Sequence, residues 1–564
     1  MIMNFPISLW RTVTLICLLV LCGCGKDHWL PRSLESKVAP LGVREAPHRV
    51  ALLEDGRTAL WYRLFLIRTA KHSIRIQTFI LTDDPVGLLV MEELERASQR
   101  GVTVQLLSDA MFTDVKLERL GEIARRDEGL EIRIYNPPTD KIDPDFLSLS
   151  GAMTSWRRFH QRMHNKLLVV DDQVAICGGR NIADEYYDAD PKLNFLDLDI
   201  VVKGPLVQDI SASFKEYWES PLVVPIQWMS DVVDAKSGDE NSMQSPHLSK
   251  EDAIFFDAEL VRGEPRLTWH QVQRIAFWAD PPPKPSPSED PVAIAGRLAG
   301  LLGRTQNDLL LQSPYLVLSD RAIQIFKQLR DQHVRVRVST NSLAATDNWL
   351  SYAHSLRQRR KMLEDLKFEI YEIKAFPGDL QKYMPKYDQL RAELREVPQS
   401  QPPGPPDPKL CLHSKALIID NWISLVGTYN LDPRSARLNT ENVVAIWDAS
   451  FARYLRSKIE RDMHPVNSWV VAKQPFPLPL LPVQVLIEEV NELAMTITSF
   501  DIWPFRYSVL FELREGMEAV PADHPDFHKH YQTVGLFPGV QFLDVKRILV
   551  QLTRMLTGVF RPLI

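Results

Sequence analysis

The stretch His164-Asn-Lys-Leu-Leu-Val-Val-Asp-Asp-Gln-Val-Ala-Ile-Cys-Gly-Gly-Arg-Asn181 recurs 249 residues later as His413-Ser-Lys-Ala-Leu-Ile-Ile-Asp-Asn-Trp-Ile-Ser-Leu-Val-Gly-Thr-Tyr-Asn430. Each copy reads His-x-Lys, four residues, Asp, six residues, then Gly-x-x-Asn. A bare His-x-Lys-x4-Asp match arises by chance at a level on the order of a few per cent. Two extended copies at one offset do not. The runs from Leu167 to Val170 and from Ala416 to Ile419 predict short apolar strands. Asp171-Asp172-Gln173 and Asp420-Asn421 predict turns, and Val174 to Cys177 and Trp422 to Val426 predict returning strands. In an extended chain residues two apart share a face, so each His projects with its Lys. The hairpin then returns Asn181, or Asn430, towards its own His.

The repeat extends outward from the motifs. Ser73 to Ile80 and Leu309 to Leu316 read as strands, each followed by a helical stretch, Val86 to Arg100 and Asp320 to Gln332. Further strands are expected at Gly101 to Asp109 and His333 to Asn341, then at Leu130 to Tyr135 and Lys367 to Glu372. The offset is 235 at Gln77/Gln312 and 232 at Asp109/Asn341. Strand–helix–strand order predicts an α/β class with a largely buried sheet, and the steady offset predicts a duplicated domain.

Facing copies place two imidazoles across a pocket rich in cations and donors. That set suits a phosphodiester: one His attacks phosphorus and the other protonates the leaving oxygen. Lys166, Lys415, Asn181 and Asn430 would stabilise the developing oxyanion charge. With these residues the chain resembles the phospholipase D superfamily, in which two His-Lys-Asp motifs form one site. Ser313-Pro-Tyr315, Thr340 to Asp347 and Tyr429 to Glu441 resemble the third type of bacterial cardiolipin synthase, over roughly residues 45 to 470.

The resemblance implies two tandem α-β-α sandwich domains around one pseudo-twofold site. It implies a phosphatidyl group carried on a phosphohistidine, with no metal and no cofactor. His164 takes the nucleophile's place and His413 the general acid's. The motif set is His164, Lys166, Asp171, His413, Lys415 and Asp420. Within it the two aspartates, at strand ends before turns, are read as fixing the turn. The family's acid that orients each His falls at Glu441 in the second half. In the first it falls at Asp197, if Asp190 to Asn194 is an insertion, with Asp199 as the alternative. The family's Gly-Ser-x-Asn reads Gly178-Gly179-Arg180-Asn181 and Gly427-Thr428-Tyr429-Asn430. Thr428 keeps the hydroxyl and is placed with the asparagines at the phosphate; Gly179 loses it. Arg180 and Arg434 could bind phosphate or pair with carboxylates. Cys177 and Cys411 read as inert buried thiols, and His270, His333 and His354 as non-catalytic.

The composition agrees. A chain of 564 residues, 45% hydrophobic and 24% charged, is neither disordered nor collagen-like nor multi-spanning. A net charge of −6 argues against a nucleic-acid partner, and with it against a nuclease. The N-terminus has Arg11 ahead of an apolar run from Thr12 to Leu21, which fits a secretory signal. Leu21-Cys22-Gly23-Cys24 resembles a bacterial lipoprotein box, with lipidation at Cys24; an uncleaved anchor is the alternative. An envelope location follows, with Gly25 favouring the outer membrane over the inner.

The expected divisions are a signal over 1–23, a tether over 24–45, domains over 46–233 and 263–470 joined by a linker over 234–262, and an extension over 471–564. Proline-rich runs, Pro281 to Pro287 and Gln399 to Pro408, mark loops. A basic amphipathic helix is expected over 543–560, lying on an anionic bilayer or packed on the domain. The expected substrates are phospholipids, phosphatidylglycerol and possibly phosphatidylethanolamine, at a membrane surface. Water as acceptor would make the protein a phospholipase D, and a non-enzymatic lipid-binding protein is the remaining alternative. Neither the acceptor nor the oligomeric state is legible in these residues.

Overall fold

The structure, a computed structural model, describes residues 42–125, 129–144, 156–235, 263–285, 293–396, 407–474, 507–540, 546–547 and 549–550. The signal, Cys24, most of the tether, the linker from 236 on, residues 399–406 and most of the 543–560 helix lie outside the described residues.

Both halves build the same strand order. In the first, Arg44–Leu53, Asp199–Lys203, Val174–Gly178, Leu167–Val170, Ser73–Thr78, Thr103–Asp109, Leu130–Tyr135 and Val223–Pro225 lie side by side. In the second, the order is His270–Ala279, Asn442–Trp447, Ile423–Gly427, Ala416–Ile419, Asp308–Gln312, Arg335–Asn341, Glu369–Ile373 and Ser468–Lys473. Two further strands, Ser508–Leu513 and Tyr531–Gly535, extend that edge. The three strands from Ser73, Thr103 and Leu130 are parallel, as are their counterparts. Parallel neighbours need a crossover, which the helices Pro85–Gln99 and Asp320–Asp331 supply. Asp84 caps the first by accepting from Gly87 N–H, and Ser319 caps the second by accepting from Ala322 N–H.

The strands are apolar on both faces because helices cover both. Leu168 and Val170 pack with the helices Gly56–Thr69 and Pro85–Gln99, while Leu167 and Val169 pack with Leu206–Trp218. This is the burial expected of a sheet at the centre of an α-β-α sandwich. The second core is shared: Ile200, Val202 and Tyr217 of the first half meet Ile418, Val444 and Phe451 of the second.

Arg44–Leu53 and His270–Ala279 pair antiparallel and join the halves into one 18-stranded sheet. Equivalent strands that pair antiparallel straddle a twofold axis. The sequence reading had no strand here. Arg44-Glu-Ala-Pro-His-Arg49 mixes charge with a proline, and the register shifts between Glu45 and His48, around Pro47. A proline that cannot donate is tolerated at such an irregularity.

At the C-terminal end, Val550 is fully buried in a cluster with Leu343, Tyr352 and Phe537. Lys546 Nζ donates to Thr346 O at 2.7 Å. These residues pack on the second half. No helix of the described residues is long and apolar enough to cross a membrane.

Candidate active site

Each motif His stands just before a short strand, with its backbone tied to the other half. His164 N–H donates to Thr440 O at 2.9 Å, and Thr440 N–H donates to Arg162 O at 2.9 Å. Across the pseudo-twofold, Lys409–Leu412 pairs in parallel with Leu193–Leu196, and His413 N–H donates to Leu196 O at 2.8 Å. The residue after each acceptor is an acid, Glu441 or Asp197. These pairings therefore carry each acid to the opposite His.

Nδ1 of His164 lies 2.7 Å from Oε2 of Glu441, and Nδ1 of His413 lies 2.5 Å from Oδ2 of Asp197. The sequence reading counted each acid from the His of its own half. The structure corrects that: the pairs are crossed. It also decides between Asp197 and Asp199. Asp199 is turned away to Arg63 and Arg180.

Both imidazoles are buried. Burial, against the pull of Glu441, takes His164 down to about 4. Burial and Lys415 also lower His413, opposed by Asp197. Despite the desolvation of a buried carboxyl, Lys415 and His413 hold Asp197 well below the usual carboxylate range. Glu441 is likewise lowered by His164 against its burial. An ionised carboxylate only accepts, so Nδ1 carries the proton in each pair. In His164 this leaves the Nε2 lone pair available for chemistry.

The lysines complete the cluster. Lys166 Nζ donates to His164 O at 2.8 Å; Lys415 Nζ lies 2.8 Å from Nδ1 and 3.0 Å from Nε2 of His413. Desolvation lowers both ammonium groups, and Lys415 further depresses Lys166 and His164. The two motifs thus converge on one site, in which two lysines and two carboxylates surround the imidazoles. Aromatic rings wall it: Phe79 is edge-on to His164 at 4.9 Å, and Tyr186 and Phe195 lie 5.2 and 4.9 Å from His413. None of the three was legible beforehand, since an aromatic in a strand or loop has no pattern pointing to a site.

The asparagines differ. Asn181 Oδ1 accepts from Ile80 N–H at 3.1 Å, and its side chain is bonded to Tyr186. Asn430 Oδ1 is buried with no partner among the described residues.

Asp171 and Asp420, members of the expected catalytic set, are turn fixers. Asp171 accepts from Lys71, His72 and Ser73 N–H at 2.9, 2.7 and 2.9 Å. Asp420 accepts from Gln306, Asn307 and Asp308 N–H at 2.9, 2.7 and 3.0 Å. Each ties its hairpin to the start of the adjacent strand, away from the imidazoles. Asp171→Ala or Asp420→Ala should lower unfolding stability by about 2–4 kcal/mol, for lost charge-assisted bonds. Turnover per folded molecule should hold within about threefold, checked by urea melts and active-site-normalised rates.

A family model described as "Cardiolipin synthase, PLD-like domain" matches residues 64–218 and 298–463. The chain belongs to this family. Cardiolipin synthase C of Escherichia coli (strain K12) is 30% identical over 437 residues, covering 76% of this chain and 87% of that protein. An uncharacterized protein of Helicobacter pylori (strain J99) is 30% identical over 442 residues, covering 76% and 82%. The crystal structure of a phosphatidylserine synthase from Haemophilus influenzae superposes with a TM-score of 0.51 at 14% identity, covering 79% of this chain and 94% of that one. It shares the fold.

Against the family pattern, the Gly179 departure has a steric reason. A Cβ at Gly179 would fall 2.6 Å from Cγ of Asp197. In the other half the longer Glu441 leaves room for Thr428. The Thr428 hydroxyl, expected at the phosphate, is instead spent on the structure. It accepts from Asn442 N–H at 2.9 Å and bonds the Glu441 carboxylate. Short acid with glycine, and long acid with threonine, are paired solutions. Gly179→Ser should displace Asp197 from His413 and reduce turnover about 10²-fold, measured as kcat on folded protein.

Arg180 is a structural residue as well. Buried, it donates to Asp199 Oδ2 at 3.1 Å and to the carbonyls of Leu53, Glu54, Tyr186 and Asp197. That leaves it no role at phosphate. Arg434 reaches His160 O and Asn439 Oδ1 at 3.5 Å. Cys177 and Cys411 are buried free thiols, and burial raises the pKa of both.

Proposed function

We propose that the protein is a membrane-associated cardiolipin synthase. It moves a phosphatidyl group between phospholipids through a phosphohistidine on His164. The observation that supports this most is the crossed pair of buried imidazoles, each with Nδ1 on an ionised carboxylate, in a family whose relatives include cardiolipin synthases.

His164 stands neutral, and its Nε2 attacks phosphorus. The bond from phosphorus to the headgroup oxygen breaks, and His413 gives that oxygen its proton. Burial and Lys415 lower the pKa of His413 against Asp197 and Asp347, and the anionic diester, on binding, favours the charged form that the acid's part requires. In the second step an acceptor hydroxyl, that of phosphatidylglycerol, gives its proton to His413 and attacks phosphorus. The P–N bond breaks and His164 is restored. Lys166 and Lys415 carry the charge that builds on the phosphoryl oxygens. Burial lowers the pKa of both, and an anionic phosphate bound between them would favour their charged forms.

Purified protein given labelled phosphatidylglycerol, with and without phosphatidylethanolamine, tests the reading. Cardiolipin is the expected product. Phosphatidic acid would make the protein a hydrolase, and unchanged lipid would refute both readings. Membrane attachment is proposed through lipidated Cys24. Cys24→Ser should release the protein from the membrane fraction or leave it unprocessed, and wild-type processing of that variant would refute the anchor.

A further inference from the structure

The second half holds a cavity beside its motif. A cavity of about 210 Å³ lies between its sheet and its two outer helices, walled by Ala295, Ala299, Leu311 and Leu417 and largely apolar. The lining continues to Lys415 and Tyr429, so the cavity abuts the second motif. Arg321 and Arg437 also line it and are solvent-exposed, which marks where it opens.

The duplication shows what a closed version looks like. At the offset of 235 that relates Gln77 to Gln312, helix Ile294–Leu302 overlays residues 59–67. The burial agrees: Leu66 and Ile67 match Leu301 and Leu302, and Ala59 matches Ile294, all buried. In that alignment Ala295 stands where the first half has Leu60, and Ala299 where it has Leu64. Both leucines are fully packed, at 2% and 0% exposure. Two Leu-to-Ala differences on one helix face open the space. Residues 295–300 stay only half-buried although the helix, Ile-Ala-Gly-Arg-Leu-Ala-Gly-Leu-Leu, is apolar but for Arg297. A packed core does not ordinarily keep such a void, and an apolar void of this kind takes apolar ligands.

We propose that this cavity is an acyl-chain pocket, which seats one hydrocarbon chain of the phospholipid whose phosphate lies at Lys415. The proposal rests on the phospholipid reading above and adds where a chain goes. The cationic exposed rim suits an amphiphile with an anionic head, and the apolar interior suits its tail.

The test is the double variant Ala295→Leu/Ala299→Leu, which installs the first half's own residues. Binding of the fluorescent fatty acid cis-parinaric acid is measured by titration, independent of turnover. Wild type should bind it saturably, and the double variant at least 10-fold more weakly. The ratio of turnover on dioleoyl phosphatidylglycerol to that on bis-p-nitrophenyl phosphate should fall at least 10-fold in the variant. Equal parinarate affinity in the two proteins, or an unchanged ratio, would overturn the pocket. Wild type alone gives a second measurement: saturated fatty acids should displace the probe about fourfold better per added methylene until the cavity is full. Displacement that is flat with chain length overturns the proposal too. Absence of cardiolipin with parinarate binding lost in the variant would leave the pocket standing and remove the synthase reading.

Discussion

His164→Gln and His413→Gln should each lower turnover by at least about 10⁴-fold, as expected where two groups act as one unit. The substitutions are close in size, so stability should change little beside the loss of one imidazole–carboxylate bond in each. The effects should not add: the double variant should be about as slow as either single one. Quenched protein from the wild type and from His413→Gln should still carry label from a phosphatidyl donor on His164; His164→Gln should carry none. Label on His413 would reverse the assignment, and label on neither would remove the covalent mechanism. His164 stays neutral down to about pH 4, so label transfer should fail on the acid side only as pH falls through that value.

The second large effect separates the crossed acids. Glu441→Gln removes the carboxylate from the His164 ring, proposed as nucleophile, and Asp197→Asn removes it from the His413 ring, proposed as acid. Each should cost about 10²–10⁴-fold on phospholipid, the scale for an orienting carboxylate. They should part on a substrate with an easy leaving group. A p-nitrophenyl phosphodiester needs little protonation as its bond breaks, so Asp197→Asn should recover most of its rate there. Glu441→Gln should not, since the attack itself is impaired. If each acid served the His of its own half, the recovery would appear in Glu441→Gln instead.

Much of this site was readable in the chain because its signals are local. His-x-Lys and the hairpin after it fit within eighteen residues, and a repeat shows itself by its offset. The parallel strands from Ser73, Thr103 and Leu130 were found because apolar runs alternate with helical stretches. The crossing of the acids was not readable. Asp197 and Glu441 are each fixed by a backbone ladder to the opposite half, Leu193–Leu196 on Lys409–Leu412 and Met163 beside Thr440. Nothing in the spacing between an acid and the His of its own half reports which His it meets. The strand Arg44–Leu53 was missed for a related reason: its pairing partner lies over two hundred residues away. The roles of Gly179 and Thr428 needed the carboxylate positions, which only the assembled site supplies.

The exchange of acids has a consequence for when the enzyme comes to life. The last residue the site needs is Glu441, late in the second half, and it serves the first motif. A nascent chain that has already made His164, Lys166 and Asn181 still lacks the carboxylate that holds the His164 ring. The half-made protein therefore lacks part of the machinery that its first motif needs. The site is complete only when both halves have closed on each other, so a truncated chain should be inactive.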